Sequence, residues 1–168
     1  MSEKKMGQIN VLEANMQKIA DVVSFYENQA KRSSDPICGS FLQNAADKKR
    51  IQLLILERMA FNRGIEMSPG NNSIEKSKGI WDSLHEKGLE DIFNFVNKQA
   101  IQDLKLYSLL SQEGGISRPI FKTMATMEED FLSFIETDYL NQLSYAVTRN
   151  NKAEEFKVLK FEFENTVA

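Results

Sequence analysis

Residues 117–143 read SRPIFKTMATMEEDFLSFIETDYLNQL. Phe121, Met124, Met127, Phe131, Phe134, Ile135, Tyr139 and Leu143 follow one another at intervals of three and four, which gathers them on one side of a helix. Ser117 and Arg118 lead into Pro119, a helix-opening sequence, because proline in the first turn gives up no hydrogen bond that the helix could have made. The stretch predicts a long amphipathic helix, and a helix with one apolar side needs other helices to cover it.

The remainder of the chain supplies them. Residues 10–32 carry Leu12, Met16, Ile19, Val22, Val23 and Tyr26 at the same spacing. Asp35 is a good N-cap and Pro36 a good first helical residue, so a second helix opens there and runs to Gly64. Its expected inner face is Phe41, Ala45, Ile51, Leu54, Ile55 and Met59. A third helix is expected over 88–112, with Ile92, Phe93, Val96, Ala100, Leu104 and Tyr107 inward and Gly114-Gly115 ending it. Between the second and third lies a long connection, residues 65–87. It has a dense turn signal at 68–73 and a short helix expected over 74–85, with Ser73 as its cap. In the tail, Leu159-Lys160-Phe161-Glu162-Phe163-Glu164 alternates apolar and charged residues, which predicts a short strand. The organisation expected is one bundle domain over 1–150 and a tail over 151–168 that forms a strand or an oligomer contact.

The two halves repeat. Phe25-Tyr26, a capped turn and Ala45-Ala46-Asp47-Lys48-Lys49-Arg50-Ile51 are answered by Leu106-Tyr107, a Gly/Pro turn and Ala125-Thr126-Met127-Glu128-Glu129-Asp130-Phe131. The apolar set Ile51, Leu54, Ile55, Met59 falls on Phe131, Phe134, Ile135, Tyr139 at an offset of 80. Two helical hairpins joined by a long crossover resemble the rubrerythrin branch of the ferritin-like superfamily. Phe25-Tyr26 is similar to that branch's Phe-Tyr near the end of its first helix, and residues 131–140, FLSFIETDYL, to the stretch after its second Glu-x-x-His. The fold this implies is an all-α, antiparallel four-helix bundle of two hairpins, with a short helix in the crossover.

The resemblance also implies a two-iron centre held by a lone Glu and a Glu-x-x-His from each hairpin. Carried over residue by residue, the lone Glu positions fall on Ile19 and Ala100, and the Glu-x-x-His positions on Lys48 with Ile51 and Glu128 with Phe131. A register one residue earlier in the second helix would put Asp47 and Arg50 there instead. Of the six positions Ile19, Lys48, Ile51, Ala100, Glu128 and Phe131, only Glu128 keeps a residue able to bind iron at neutral pH. The chain's single histidine, His85, lies in the connection, so two bundle histidines cannot be supplied. Cys38 is the only cysteine, which excludes an internal disulfide and a four-cysteine iron module. The expectation is a degenerate metal site with no cofactor, and Lys48–Glu128 as a candidate core ion pair replacing the metal. The alternative is a di-metal oxidoreductase of the peroxidase or ferroxidase type, with two iron ions on non-standard ligands such as Glu128 with Asp103 or Asp47.

Other residues carry weaker signals. Tyr26 and Tyr107 are read as packed core tyrosines, and Met16, Met59, Met124 and Met127 as core filling. Cys38, just after a helix start, is either a thiol of lowered pKa or a plain small residue. Apolar side chains at the vacated positions could also leave a cavity for a small apolar ligand. A net charge of −3 offers no broad attraction to nucleic acid or anionic membrane. No stretch approaches the roughly 20 apolar residues of a membrane span, and the first ten residues hold no apolar run. These features predict a cytoplasmic, non-catalytic structural or interaction protein. It is expected to be a homodimer through bundle faces and the tail with Phe156, Phe161 and Phe163, with an unidentified protein partner also open.

Overall fold

The computed structural model describes residues 2–67 and 80–167. Among these, four α-helices and one 3-10 helix are present and no strand: α1 Glu3–Arg32, α2 Pro36–Asn62, the 3-10 segment Ile80–Glu86, α3 Leu89–Leu110 and α4 Arg118–Val167. The start of α2 follows its local chemistry, since Asp35 accepts from the Ile37 N–H at 2.9 Å and Pro36 fills the first turn. Its end does too. Gly64 takes φ 66°, and the Ile65 N–H reaches back to the Ala60 carbonyl at 3.0 Å while that of Gly64 reaches Phe61 at 2.9 Å. This closing motif needs a residue without a Cβ at the left-handed position.

α1 packs along α2 and α3 along α4, and α2 also packs on α4. Asn44 bonds Asp138, while Gln52 bonds the Met127 carbonyl, so α2 and α4 run antiparallel. The hydroxyl of Ser117 donates to the Gln8 carbonyl, and the Gln8 side-chain amide donates to the Gly114 carbonyl. The first turns of α1 thus meet the turn between α3 and α4. At the other end the Gln29 side-chain oxygen accepts from the backbone N–H of His85 at 2.8 Å and from its Nδ1 at 2.9 Å. The predicted turn at 68–73, and residues 74–79 of the predicted connection helix, lie outside the described residues. Residues 80–86 of that helix are 3-10.

The core comes in two apolar clusters. One holds Tyr26, Phe41, Leu42, Ile92, Val96 and Ile135, with Leu84. The other holds Leu12, Met16, Leu56, Ile120, Phe121 and Met124, with Ile65. Between them along the helices lie the buried polar residues Lys49 and Gln52 of α2, Asp103 of α3 and Glu128 of α4.

Two expectations need correction. The inner face of α2 is Cys38, Phe41, Leu42, Ala45, Ala46, Lys49, Gln52, Leu56 and Ala60. Ile51 and Leu54 are 56% and 58% exposed, and Ile55 is exposed as well. Phe41 and Ala45 are buried as expected, but from residue 48 onward the buried face is turned by one residue, about 100°, from the expected one. Residues 51–56 are apolar at five of six places, so their spacing does not single out a side. The repeat offset that matches the burial is 79, the separation of Lys49 and Glu128. It maps Phe41, Leu42, Ala45, Lys49 and Leu56 onto the buried Ile120, Phe121, Met124, Glu128 and Ile135.

The second correction is the tail. Residues 151–167 are not a strand but the continuation of α4. Nothing after Pro119 is glycine or proline, so no residue breaks the helix. A six-residue alternation cannot outweigh that without a strand to pair with. Residues 151–167 of the tail expected from the sequence are therefore the end of the same helix.

The register of α2 predicts opposite fates for neighbouring leucines. Leu56→Ala empties a core site and should cost about 2–5 kcal/mol, whereas Leu54→Ala should change stability by less than about 0.5 kcal/mol. Urea denaturation of each variant decides it, and a larger loss for Leu54→Ala would refute the register.

Candidate functional site: a buried ion pair in the bundle centre

The polar layer between the clusters is the place where the interior departs from plain hydrophobic packing. Lys49, on α2, is 3% exposed and Glu128, on α4, is 1% exposed. The Lys49 ammonium donates to Glu128 Oε1 and lies 4.2 Å from the centroid of the Phe131 ring, which offers its negative face to the cation. Beside this pair, Asp103 Oδ1 accepts from Lys18 Nζ at 2.5 Å and from the Gln99 amide at 3.4 Å. Gln52 closes the layer by donating to the Met127 carbonyl at 2.8 Å.

The expected partner of Glu128 was Lys48. Lys48 instead lies half-buried at the margin, its Nζ 5.5 Å from the centroid of the Phe134 ring. The single-residue turn of α2 explains the exchange. It also brings Gln52 in where Ile51 was expected, and Ile51 faces out. The other register considered, Asp47 with Arg50, moves the wrong way. Asp47 is exposed and accepts from Arg50 Nη1 at 2.9 Å. Ile19, Ala100, Glu128 and Phe131 are all buried. Ile19 belongs to one apolar cluster, and Ala100 and Phe131 to the other.

Burial sets the electrostatics. Loss of water pushes the Glu128 carboxyl above its ordinary value, more than Lys49 pulls it down, and the Asp103 carboxylate adds to the rise. Glu128 Oε2 and the Tyr107 hydroxyl are buried with no hydrogen-bond partner among the described residues. Burial and the Asp103 and Glu128 charges raise both the Tyr107 and the Tyr26 phenols, so neither is poised to lose a proton.

Cys38 is also not activated. Burial and the adjacent Asp35 carboxylate push its thiol up to about 11. The thiol lies 3.5 Å from Asp35 Oδ2 and 3.9 Å from the Lys87 carbonyl. This overturns the reading of a thiol acidified by a helix start, since the carboxylate that caps the helix sits against the sulfur. His85 is taken up by Gln29 and lies 3.6 Å from Glu86.

Among the described residues no group of three or more His, Cys, Asp or Glu side chains is arranged to hold a metal ion. At the six places the resemblance implies, with the corrected register, stand Ile19, Lys49, Gln52, Ala100, Glu128 and Phe131. Only Glu128 offers a carboxylate, and a cation there would face the Lys49 ammonium. These residues do not fit a two-iron centre. The two surface hollows described lie elsewhere, one between α1 and the end of α2 near Met16, Leu53 and Ile65, the other where α1 meets the α3–α4 turn. Neither includes Ala100 or Phe131.

Compared with known proteins, the chain matches no protein-family model, no curated protein and no solved structure.

Removing one partner of a buried pair strands the other. Glu128→Leu should cost about 3–5 kcal/mol, and Lys49→Met with Glu128→Leu together should cost far less than the sum of the single changes. The Lys49→Met loss should depend on pH. A carboxyl raised above the unfolded value of 4.5 keeps its proton in the folded chain after the unfolded chain has released it. Stability from this group is then full below about 4.5 and falls as pH rises through the folded value. Without Lys49 that fall deepens, so Lys49→Met should cost more at pH 8 than at pH 4.5. Additive, pH-independent losses in urea titrations would contradict the pairing.

The thiol geometry gives a separate expectation. Native protein should resist a disulfide thiol reagent at neutral pH, while denatured protein should react at its one cysteine at once. Rapid reaction of the folded chain would contradict the burial of Cys38.

Proposed function

We propose that this chain is a non-catalytic interaction protein of the cytoplasm with ferritin-like architecture. In this reading Lys49–Glu128 takes the place that two iron ions take in rubrerythrin-like members, and the protein works as a homodimer. The observation that carries it is the Lys49 ammonium on Glu128, between helices at positions related by the internal repeat. A fixed ammonium supplies in one side chain the positive charge that metal supplies to a carboxylate. The bundle then keeps its shape without an ion to load or lose.

Two further features support the reading. The connection between the hairpins has Ile65 in one apolar cluster and Leu84 in the other, as a crossover running the length of a ferritin-like bundle would. Exposed Ile51, Leu54, Ile55 and Phe61 on α2, and Leu140, Leu143, Tyr145 and Val147 on α4, leave apolar surface of the kind that interaction proteins cover with partners.

Metal analysis tests this reading. Untagged protein expressed with added iron and manganese should carry less than about a tenth of a metal per chain by plasma mass spectrometry. About two per chain, the loading of a di-metal bundle, would overturn it and restore the oxidoreductase.

A further inference from the structure

α2 turns one side to the core and leaves the opposite side to water. Ala45, Lys49 and Leu56 are buried, while Asp47, Ile51, Leu54, Arg58 and Phe61, across the helix from them, are all exposed. Those five follow at intervals of four, three, four and three, the seam spacing of helices that pair side by side. Ile51 and Leu54 are neighbours on the helix surface, and Ile55 stands one turn on from Ile51. With Phe61 they make a contiguous apolar stripe over three turns, unlike the single exposed apolar residues that any surface carries.

The charges in the stripe indicate what covers it. Asp47 and Arg58 are equally far from the point midway between residues 52 and 53, and so are Ile51 and Leu54. When two copies of this face lie antiparallel about that point, Ile51 of each copy meets Leu54 of the other. Asp47 then meets Arg58 on either side of the apolar centre, and on one flank Arg50 approaches Glu57. Both members of the Asp47–Arg58 contact can make it. Asp47 accepts from Gln43 at 3.0 Å and from Arg50 at 2.9 Å, both on Oδ1, which leaves Oδ2 for a second cation. Arg58 has no ion-pair partner among the described residues. Parallel pairing would instead set Asp47 against Asp47 and Arg58 against Arg58, which is repulsive at both ends.

We infer that the outer face of α2 packs antiparallel on the same face of a second copy of this chain, about a two-fold axis level with residues 52–53. This pairing rests on the homodimer proposed above and names its surface. A two-fold axis makes the contact self-complementary, so the assembly closes at two. Charges at two of the five seam positions, and the modest area of one helix face, make it a weak dimer, with a dissociation constant of about 10–100 µM. At the roughly 1 µM protein of an optical urea titration such a dimer is dissociated, so Leu54→Ala still costs the folded monomer little.

Sedimentation equilibrium of the full chain, up to about 200 µM, tests this. The parent protein should be largely dimeric at the upper end. Asp47→Arg should weaken dimerisation by about tenfold or more, as should Arg58→Asp, because each puts like charges together twice about the axis. The two changes in one chain should restore the dimer to within about threefold of the parent, since the pairs re-form with reversed sign. An equal mixture of the two single variants should recover it in the same way. Both positions are exposed, so this rescue separates lost pairing from lost folding. A parent dimer that the single variants leave unchanged, or that the double variant fails to restore, overturns the α2 pairing and leaves a homodimer through another face. A parent chain that stays monomeric at about 200 µM overturns the homodimer as well, and gives the α2 face to a different partner.

Discussion

A lysine and a glutamate held out of water at the centre of a helical bundle set the terms for the rest of this fold. Each charge alone would be too costly to bury, and together they roughly offset each other only when their geometry is held. The surroundings do that holding. Two apolar clusters close the layer from either end, the Phe131 ring lies against the ammonium, and Asp103 with Lys18 forms a second pair alongside. The layer also fixes how the hairpins meet. Sliding α2 along α4 by one turn would set Lys49 against an apolar neighbour and leave Glu128 bare. Buried pairs that specify register in this way are better evidence for uniqueness of fold than for stability.

Much of this was legible in the chain. The four helices follow from apolar spacing and from punctuation at Asp35-Pro36, Gly64, Gly114-Gly115 and Pro119. The likeness of the two halves was visible, and Glu128 stood out as the one acidic residue left at the expected ligand places. The register of α2 was not legible. With Ile51, Leu53, Leu54, Ile55 and Leu56 nearly continuous, hydrophobicity cannot say which side is buried, and two adjacent lysines made either choice plausible. What decides it is packing against α4, which repeats the burial of Phe41, Leu42, Ala45, Lys49 and Leu56 at an offset of 79. Spacing within one helix carries no information about that match.

Other features had no local signature. Gln29 draws the 3-10 segment onto the end of α1 across 56 positions of sequence, and Gln52 bonds a backbone carbonyl of α4. Glutamines on a helix ordinarily face water, so no motif marks these two. Asp103 was legible only as an alternative metal ligand. Its role as partner to Lys18 depends on two helices meeting, 85 residues apart. The tail misled for the opposite reason. A short alternation is a strong local pattern, but the longer run without a helix breaker prevails over it.

The centre of the bundle depends on the charge state and company of one carboxyl group. Carbon-13 NMR of the Glu128 side-chain carboxyl, followed against pH in the parent chain and in Lys49→Met, measures both. The buried pair predicts a midpoint above 4.5 in the parent, because burial outweighs the ammonium. It predicts a further rise once Lys49 is gone, because the ammonium was lowering it. A midpoint at or below 4.5, or one that the loss of Lys49 does not move, would contradict a buried Lys49–Glu128 pair at the centre of this bundle.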